Sequence, residues 1–292
     1  MQIPQNLKEA IEAQTSTVKA EVLRRCTQEL TERYKKPVHA APFIATPLQQ
    51  LAYLNSRFPA TFAALCKVFT TLFEHYSPAQ ITSFLDLGSG MGTGMWALQQ
   101  FALPLLSKLT LIEKDRELIA MGKALALHAE ENLLQQAIWK EEDLKNSVLQ
   151  KHDLVLMSYS FGEIAREFWP GLIQQLWSAT NQVLVIVEPG TPAGYERISY
   201  IRSALLQQGA HLIAPCPHSA TCPMAEQDWC HFAARVQRSS SHRFAKEGHL
   251  NYEDEKFSYI AFSKAACGSL QGDLAIPHGQ LHHPQHWIRG GR

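Results

Sequence analysis

Long apolar runs are absent from this chain of 292 residues: none approaches the roughly 20 that a helix needs to cross a bilayer, so no membrane partner is expected. An excess of either charge is missing too. Lys plus Arg and Asp plus Glu both number 27, so no global field draws the chain to nucleic acid or lipid, and any such affinity has to come from a local patch. Cysteine is scarce. Six residues are too few for a disulfide scaffold at this length, and in a reducing compartment they are thiols or metal ligands. Residues 1–14 carry Glu9 and Glu12 in place of an arginine-rich or apolar leader, which predicts a cytoplasmic protein. Internal repeats and low-complexity tracts are also missing. What remains is 46% apolar, enough for one large or two modest domains, and the chain is expected to be a monomer.

The most informative stretch is Phe84-Leu85-Asp86-Leu87-Gly88-Ser89-Gly90-Met91-Gly92-Thr93-Gly94. An apolar run delivers an acid into a loop with glycine at every second position, so a buried strand ends, the backbone turns freely, and a ligand can come close to the main chain. A dinucleotide turn wants G-x-G-x-x-G, but Thr93 stands where its third glycine belongs, which disfavours a nicotinamide oxidoreductase. The pattern D-x-G-x-G-x-G, over roughly residues 79–264, resembles class I S-adenosylmethionine-dependent methyltransferases.

The rest of the chain suits that reading. Residues 7–34 have the apolar spacing of an amphipathic helix, and 51–72 continue that period, with Pro59 at the first turn of a further helical segment. From residue 81 short apolar runs alternate with helical segments, the mark of a parallel sheet wrapped by helices. Strands are predicted at 81–87, 109–113, 137–141, 153–158, 183–187, 211–214 and 257–263, the last antiparallel. The fold class is therefore α/β, a Rossmann-like seven-stranded sheet of the class I methyltransferase type. A helical N-terminal region (1–78) precedes the cofactor-binding core (79–214). A cysteine-rich metal-binding insertion (215–250), the last strand (251–267) and a tail (268–292) follow.

Ligands of such sheets bind at the carboxyl ends of the strands. Asp86 with Gly88, Gly90 and Gly92 ends strand one and faces the methionine part of the cofactor. Glu113, 25 residues after Gly88, is placed to accept from both ribose hydroxyls, with Asp115 a weaker candidate. Asp143, after the third strand, is where these enzymes often read the adenine amino group. No catalytic base stands out: after strand four the chain reads Ser158-Tyr159-Ser160-Phe161-Gly162-Glu163, without the Asn/Asp-Pro-Pro-aromatic run used on exocyclic amines. Tyr159, Glu163 and Glu188 lie near the right edge but fit a supporting role equally well.

Cys216, Cys222 and Cys230 fall within 15 residues, spaced C-x5-C-x7-C among prolines and aromatics. Clustered thiolates need a cation to offset their charge, so a metal or iron-sulfur site is the physical reading. The spacing leaves the metal open. Cys267, just beyond the last strand, is the natural fourth ligand, while His218 or His231 would make a Cys3His zinc site instead.

A narrower resemblance rests on Glu188-Pro189-Gly190-Thr191-Pro192, Ala214-Pro215-Cys216-Pro217-His218, Cys222-Pro223, Asp228-Trp229-Cys230-His231-Phe232, Phe257-Ser258-Tyr259 and Arg57-Phe58-Pro59-Ala60-Thr61. These look like the methyltransferase-like family associated with the mitochondrial small ribosomal subunit, and its bacterial relatives. The resemblance implies a methyltransferase fold acting on, or assembling with, small-subunit ribosomal RNA. It also implies a 4Fe-4S cluster on four cysteines, with zinc the alternative. Cys216, Cys222 and Cys230 match three of the family's ligands; Cys267 follows the Phe-Ser-Tyr strand sooner than the family pattern has it.

Arg235, Arg238, Arg243 and Lys246, with His242 and His249, follow the cysteines with only Glu247 opposing them, a candidate phosphate-binding patch. Two functions stand: an enzyme that methylates ribosomal RNA, and a non-catalytic assembly factor that uses the methyltransferase fold as a binding module.

Overall fold

A computed structural model describes residues 2–35, 44, 46–224, 228–237 and 250–266. Three helices come first: α1 (Gln5–Thr15), α2 (Ala20–Lys35) and α3 (Pro47–His75). The alternating part follows as β1 (Ser83–Leu87), α4 (Thr93–Leu98), β2 (Lys108–Glu113), α5 (Arg116–Ala126), α6 (Asn132–Gln135), β3 (Ile138–Glu141), β4 (His152–Ser158), α7 (Trp169–Ala179), β5 (Thr180–Pro189), α8 (Pro192–Gln207) and β6 (His211–Ala214). A long hairpin, β7 (Phe232–Gln237) and β8 (Tyr252–Ser263), completes one mixed sheet of order β3-β2-β1-β4-β5-β8-β6, with β7 on β8. The first five strands are parallel; β8 runs antiparallel to β5, β6 and β7. This is a methyltransferase-like α/β fold.

Alternation along each strand divides the core in two. Phe84, Leu154, Leu156, Val183 and Val185 face α3, α4 and the N-terminal helices. Leu85, Val155, Met157, Leu184 and Ile186 face α7 and α8. Both faces are covered, which is why these strands read as unbroken apolar runs. Phe58, Phe62 and Phe69 of α3 are fully buried, and Leu7, Ile11 and Leu23 of the first two helices belong to the same cluster as the sheet. No helix of the described residues is long and apolar enough to cross a membrane.

Four expectations need correction. The helix expected over 7–34 is two, broken after Thr15, where the hydroxyls of Thr15, Ser16 and Thr17 bond back to carbonyls of the preceding turn and compete with the helical ladder. The break expected at Pro59 does not occur: α3 runs 29 residues through it. Packing of its aromatic face outweighs the single backbone bond that proline cannot donate. The sheet has eight strands rather than seven, because the segment after the cysteines supplies β7. β8 also begins at Tyr252, five residues before the predicted start at 257, since its first half pairs with β7.

Candidate functional site

The carboxyl ends of β1, β2 and β4 surround a cavity of about 120 Å³. Its wall includes Gly88, Gly90, Glu113, Asp143, Ser158, Tyr159 and Ser160, while Ile44 and Tyr53 close it from the N-terminal side. Of the sequence-predicted residues, Asp86 and Gly92 do not line it.

Gly88, Gly90 and Gly92 hold φ of 65°, 55° and 80°. Gly94 answers a different need: a Cβ there would lie 2.3 Å from Asp86 Oδ2 and 2.7 Å from Leu156, so bare backbone is required for α4 to start against β1. Asp86 is 1% exposed and neither oxygen makes a well-formed hydrogen bond. Burial first, and the nearby Glu113 second, push its carboxyl up to about 8, which the Gly94 N–H offsets only in part. Ser89 Oγ, in the same loop, is buried without a partner.

Glu113 is turned onto the loop. Its Oε2 accepts from the Gly90 N–H at 2.9 Å, and its Oε1 from Lys114 and Asp115 N–H at 2.8 and 3.0 Å. Burial raises its pKa and these three donors work against the rise. Asp115 caps α5 through the Glu117 and Leu118 N–H groups, which explains it without a ligand. Asp143 Oδ1 accepts from the Lys145 N–H in a turn. Lys114 Nζ and Glu163 pair at 3.1 Å, joining two sides of the cavity wall.

Tyr159 departs from ordinary backbone geometry, at φ 56°. Its ring lines the cavity and its hydroxyl donates to Glu255 Oε1 at 3.3 Å. Glu255, on β8, is also held by Arg57 of α3 in a two-bond fork at 2.8 and 3.0 Å. Glu188 is buried and receives the Arg197 Nε.

The cysteines lie elsewhere. Cys216, Cys222 and Cys230 line a second, mostly apolar cavity of about 260 Å³ with His218, Tyr195, Arg202 and Tyr259. Burial, then the two other thiols, push Cys230 up to about 12; burial also raises Cys216, and Arg202 counters it. The segment is anchored by Trp229 Nε1, which donates to the Gly190 carbonyl at 3.0 Å, and by Ser258 Oγ, which donates to the Cys230 carbonyl at 2.7 Å. His231 is buried with its ring stacked on Trp229 and does not line this cavity. Among the described residues no group of three or more His, Cys, Asp or Glu side chains is assembled tightly enough to hold a metal ion. The donor chemistry nonetheless suits a thiophilic centre, with a buried cation and no carboxylate among the described residues of the wall. Cys267, Arg238, His242, Arg243, Lys246 and His249 lie outside the described residues.

The basic patch is not as expected where it can be seen. The first half of β8 sets acids against it: Arg235 forks onto Asp254 at 3.0 and 3.3 Å and lies over the Tyr252 ring at 4.0 Å. Sequence reasoning counted only charges nearby in the chain, and strand pairing brings in others. It also passed over Tyr195 and Arg202, whose i, i+7 spacing places both on one face of α8. It missed Glu255 as well.

The chain is 23% identical to the human ribosome assembly protein METTL17, mitochondrial, over 81% of this chain and 53% of that protein. It is 27% identical to the fission-yeast Rsm22-cox11 tandem protein 2, mitochondrial, over 77% and 33%. It thus spans about half or less of the length of these relatives. Similar solved structures include the magnesium protoporphyrin IX methyltransferase of Synechocystis with SAM bound (12% identity, TM-score 0.45, 80% and 91% coverage). Another is the plantazolicin methyltransferase BpumL in complex with SAH (16%, 0.43, 89% and 99%). The relatives correct one expectation: both are named as mitochondrial proteins, so the cytoplasmic location read from residues 1–14 does not stand. Charge in a short leading segment is a weak guide to an address read by a receptor. The family described as "Mitochondrial small ribosomal subunit Rsm22" matches residues 47–272, from the start of α3 to beyond β8, and the chain belongs to that family.

Proposed function

We propose that this chain is an S-adenosylmethionine-binding, methyltransferase-like protein that acts on small-subunit ribosomal RNA or on its assembly, and that it carries a 4Fe-4S cluster. One observation carries the cofactor reading. A cavity at the carboxyl ends of three parallel strands has bare glycine backbone on one side and Glu113 and Asp143 on its wall. Gly88 and Gly90 would approach the methionine part, with Asp86 beneath them; Glu113 would exchange the Gly90 N–H for ribose hydroxyls, and Asp143 has a second oxygen for the adenine amino group. Saturable binding of S-adenosylmethionine in a calorimetric titration is expected, weakened by Glu113→Ala and Asp143→Ala; folded protein that takes up no ligand overturns it.

The cluster reading rests on the family resemblance and on three thiols, Cys216, Cys222 and Cys230, that line one cavity with the buried Arg202 and with no Asp or Glu among the described residues of its wall. Thiolate-rich donor sets hold iron-sulfur clusters or zinc, and the resemblance favours the cluster, with Cys267 as the fourth ligand. Iron and sulfide in anaerobically purified protein are the expected result; stoichiometric zinc without iron refutes it.

A second reading, an assembly factor without transfer chemistry, is favoured by how the nearby polar groups are engaged. Tyr159 is bonded to Glu255, Glu163 to Lys114 and Glu188 to Arg197. Each therefore has a structural partner, although Glu188 keeps one oxygen unbonded. Mass spectrometry of small-subunit ribosomal RNA from a deletion strain separates the two, because only an enzyme predicts a lost methyl group.

A further inference from the structure

Arg202 is 7% exposed, yet among the described residues it pairs with no carboxylate. One of its terminal nitrogens donates to the carbonyls of His218 and Ala220, at 2.9 and 2.7 Å, and its Nε has no partner. It lines the thiol cavity, and no Asp or Glu is among the described residues of that wall. A buried guanidinium without a counter-charge is costly, because neutral carbonyls satisfy its donors but not its charge. What the cavity does offer is sulfur. Arg202 shares this wall with Cys216, Cys222 and Cys230, and Tyr195, one stripe along α8, has its hydroxyl 3.2 Å from Cys222 Sγ.

We propose that Arg202, with Tyr195 beside it, is a positioning residue for the thiolate-bound centre: it supplies the positive charge and hydrogen bonds that stabilise an anionic metal-thiolate group on Cys216, Cys222 and Cys230. This rests on the reading that the thiols hold such a centre. The two carbonyl contacts fix the Cys216–Cys222 loop over α8 and aim the guanidinium inward, so one side chain both shapes the loop and balances the charge of what it encloses. An added electron makes a thiolate-ligated cluster more negative, and a fixed cation beside it favours the reduced form.

The test compares wild-type protein, Arg202→Gln, Arg202→Lys and Tyr195→Phe, all purified anaerobically. Metal and sulfide content, the visible band, its rate of loss to a chelator, and the midpoint potential are measured. Arg202→Gln removes the charge while keeping an N–H donor for the loop; its potential should move negative and its band should fade several-fold faster. Arg202→Lys should keep a potential close to wild type. Tyr195→Phe should shift it in the same direction as Arg202→Gln, by less. If Arg202→Gln does not fold, judged by circular dichroism, the Lys and Phe variants decide. An unchanged potential and lifetime in Tyr195→Phe, with a displaced potential in Arg202→Lys, would then overturn the proposal. A loaded Arg202→Gln protein with wild-type potential and lifetime also overturns it. Wild-type protein free of metal sinks the cluster reading itself and this inference with it. If the metal is zinc, the chelator rate alone reads the same charge, with Gln faster than Lys.

Discussion

At the scale of single residues, the glycine loop is governed by what lies under it. Asp86 is held in a folded-state carboxyl raised to about 8 from an ordinary 3.8. A raised folded pKa means that the folded chain prefers the proton, so this contribution to stability is complete below the ordinary value and is lost as pH climbs towards the folded one. The urea midpoint of ligand-free protein should therefore decline between about pH 4 and about pH 8, and Asp86→Asn should flatten that decline. Equal slopes would show that the carboxyl is not held neutral. Gly94→Ala forces a methyl against Asp86 and Leu156 and should cost about 1–3 kcal/mol in the same measurement. The residues of this loop were legible in the sequence because strand, turn and helix start are contiguous. Arg202 was not, since its partners arrive from a loop that returns over α8.

At the scale of elements, α3 is fastened to β8 by Arg57 and Glu255, whose side chains are 16% and 11% exposed. Removing one member leaves the other charge nearly buried, so Arg57→Ala should destabilise by roughly 3 kcal/mol. Replacing both by Met should recover most of that loss, and a double-mutant comparison of urea midpoints checks it; a double variant as unstable as the single would assign the effect to packing. The parallel strands and their order of acids could be read directly, because buried strands between helices leave an apolar signature of fixed length. Continuity of α3 through Pro59 could not be read, since tertiary burial of Phe58 and Phe62 decides it. β7 was missed for a related reason. Its alternation is short, and its pairing partner begins 15 residues after it ends.

For the molecule as a whole, the N-terminal helices and the sheet share one core, which predicts a single cooperative transition. Circular dichroism and tryptophan fluorescence should report the same urea midpoint; separated midpoints would mean that residues 1–78 fold on their own. The overall architecture was legible because the βα pattern dominates the middle of the chain, but how the ends close onto it was not.

β8 is where that closure happens. Among the described residues it alone pairs with β6 and β7, and it covers seven residues of β5. A nascent chain emerging from its own ribosome therefore holds β5 with an open edge, and β6 without any neighbour, until Ser263 has cleared the exit. An apolar edge left bare that long is an invitation to pair with the wrong chain. A version stopped before Tyr252 should accordingly be captured by chaperones or precipitate, while one that keeps β8 and Cys267 should not.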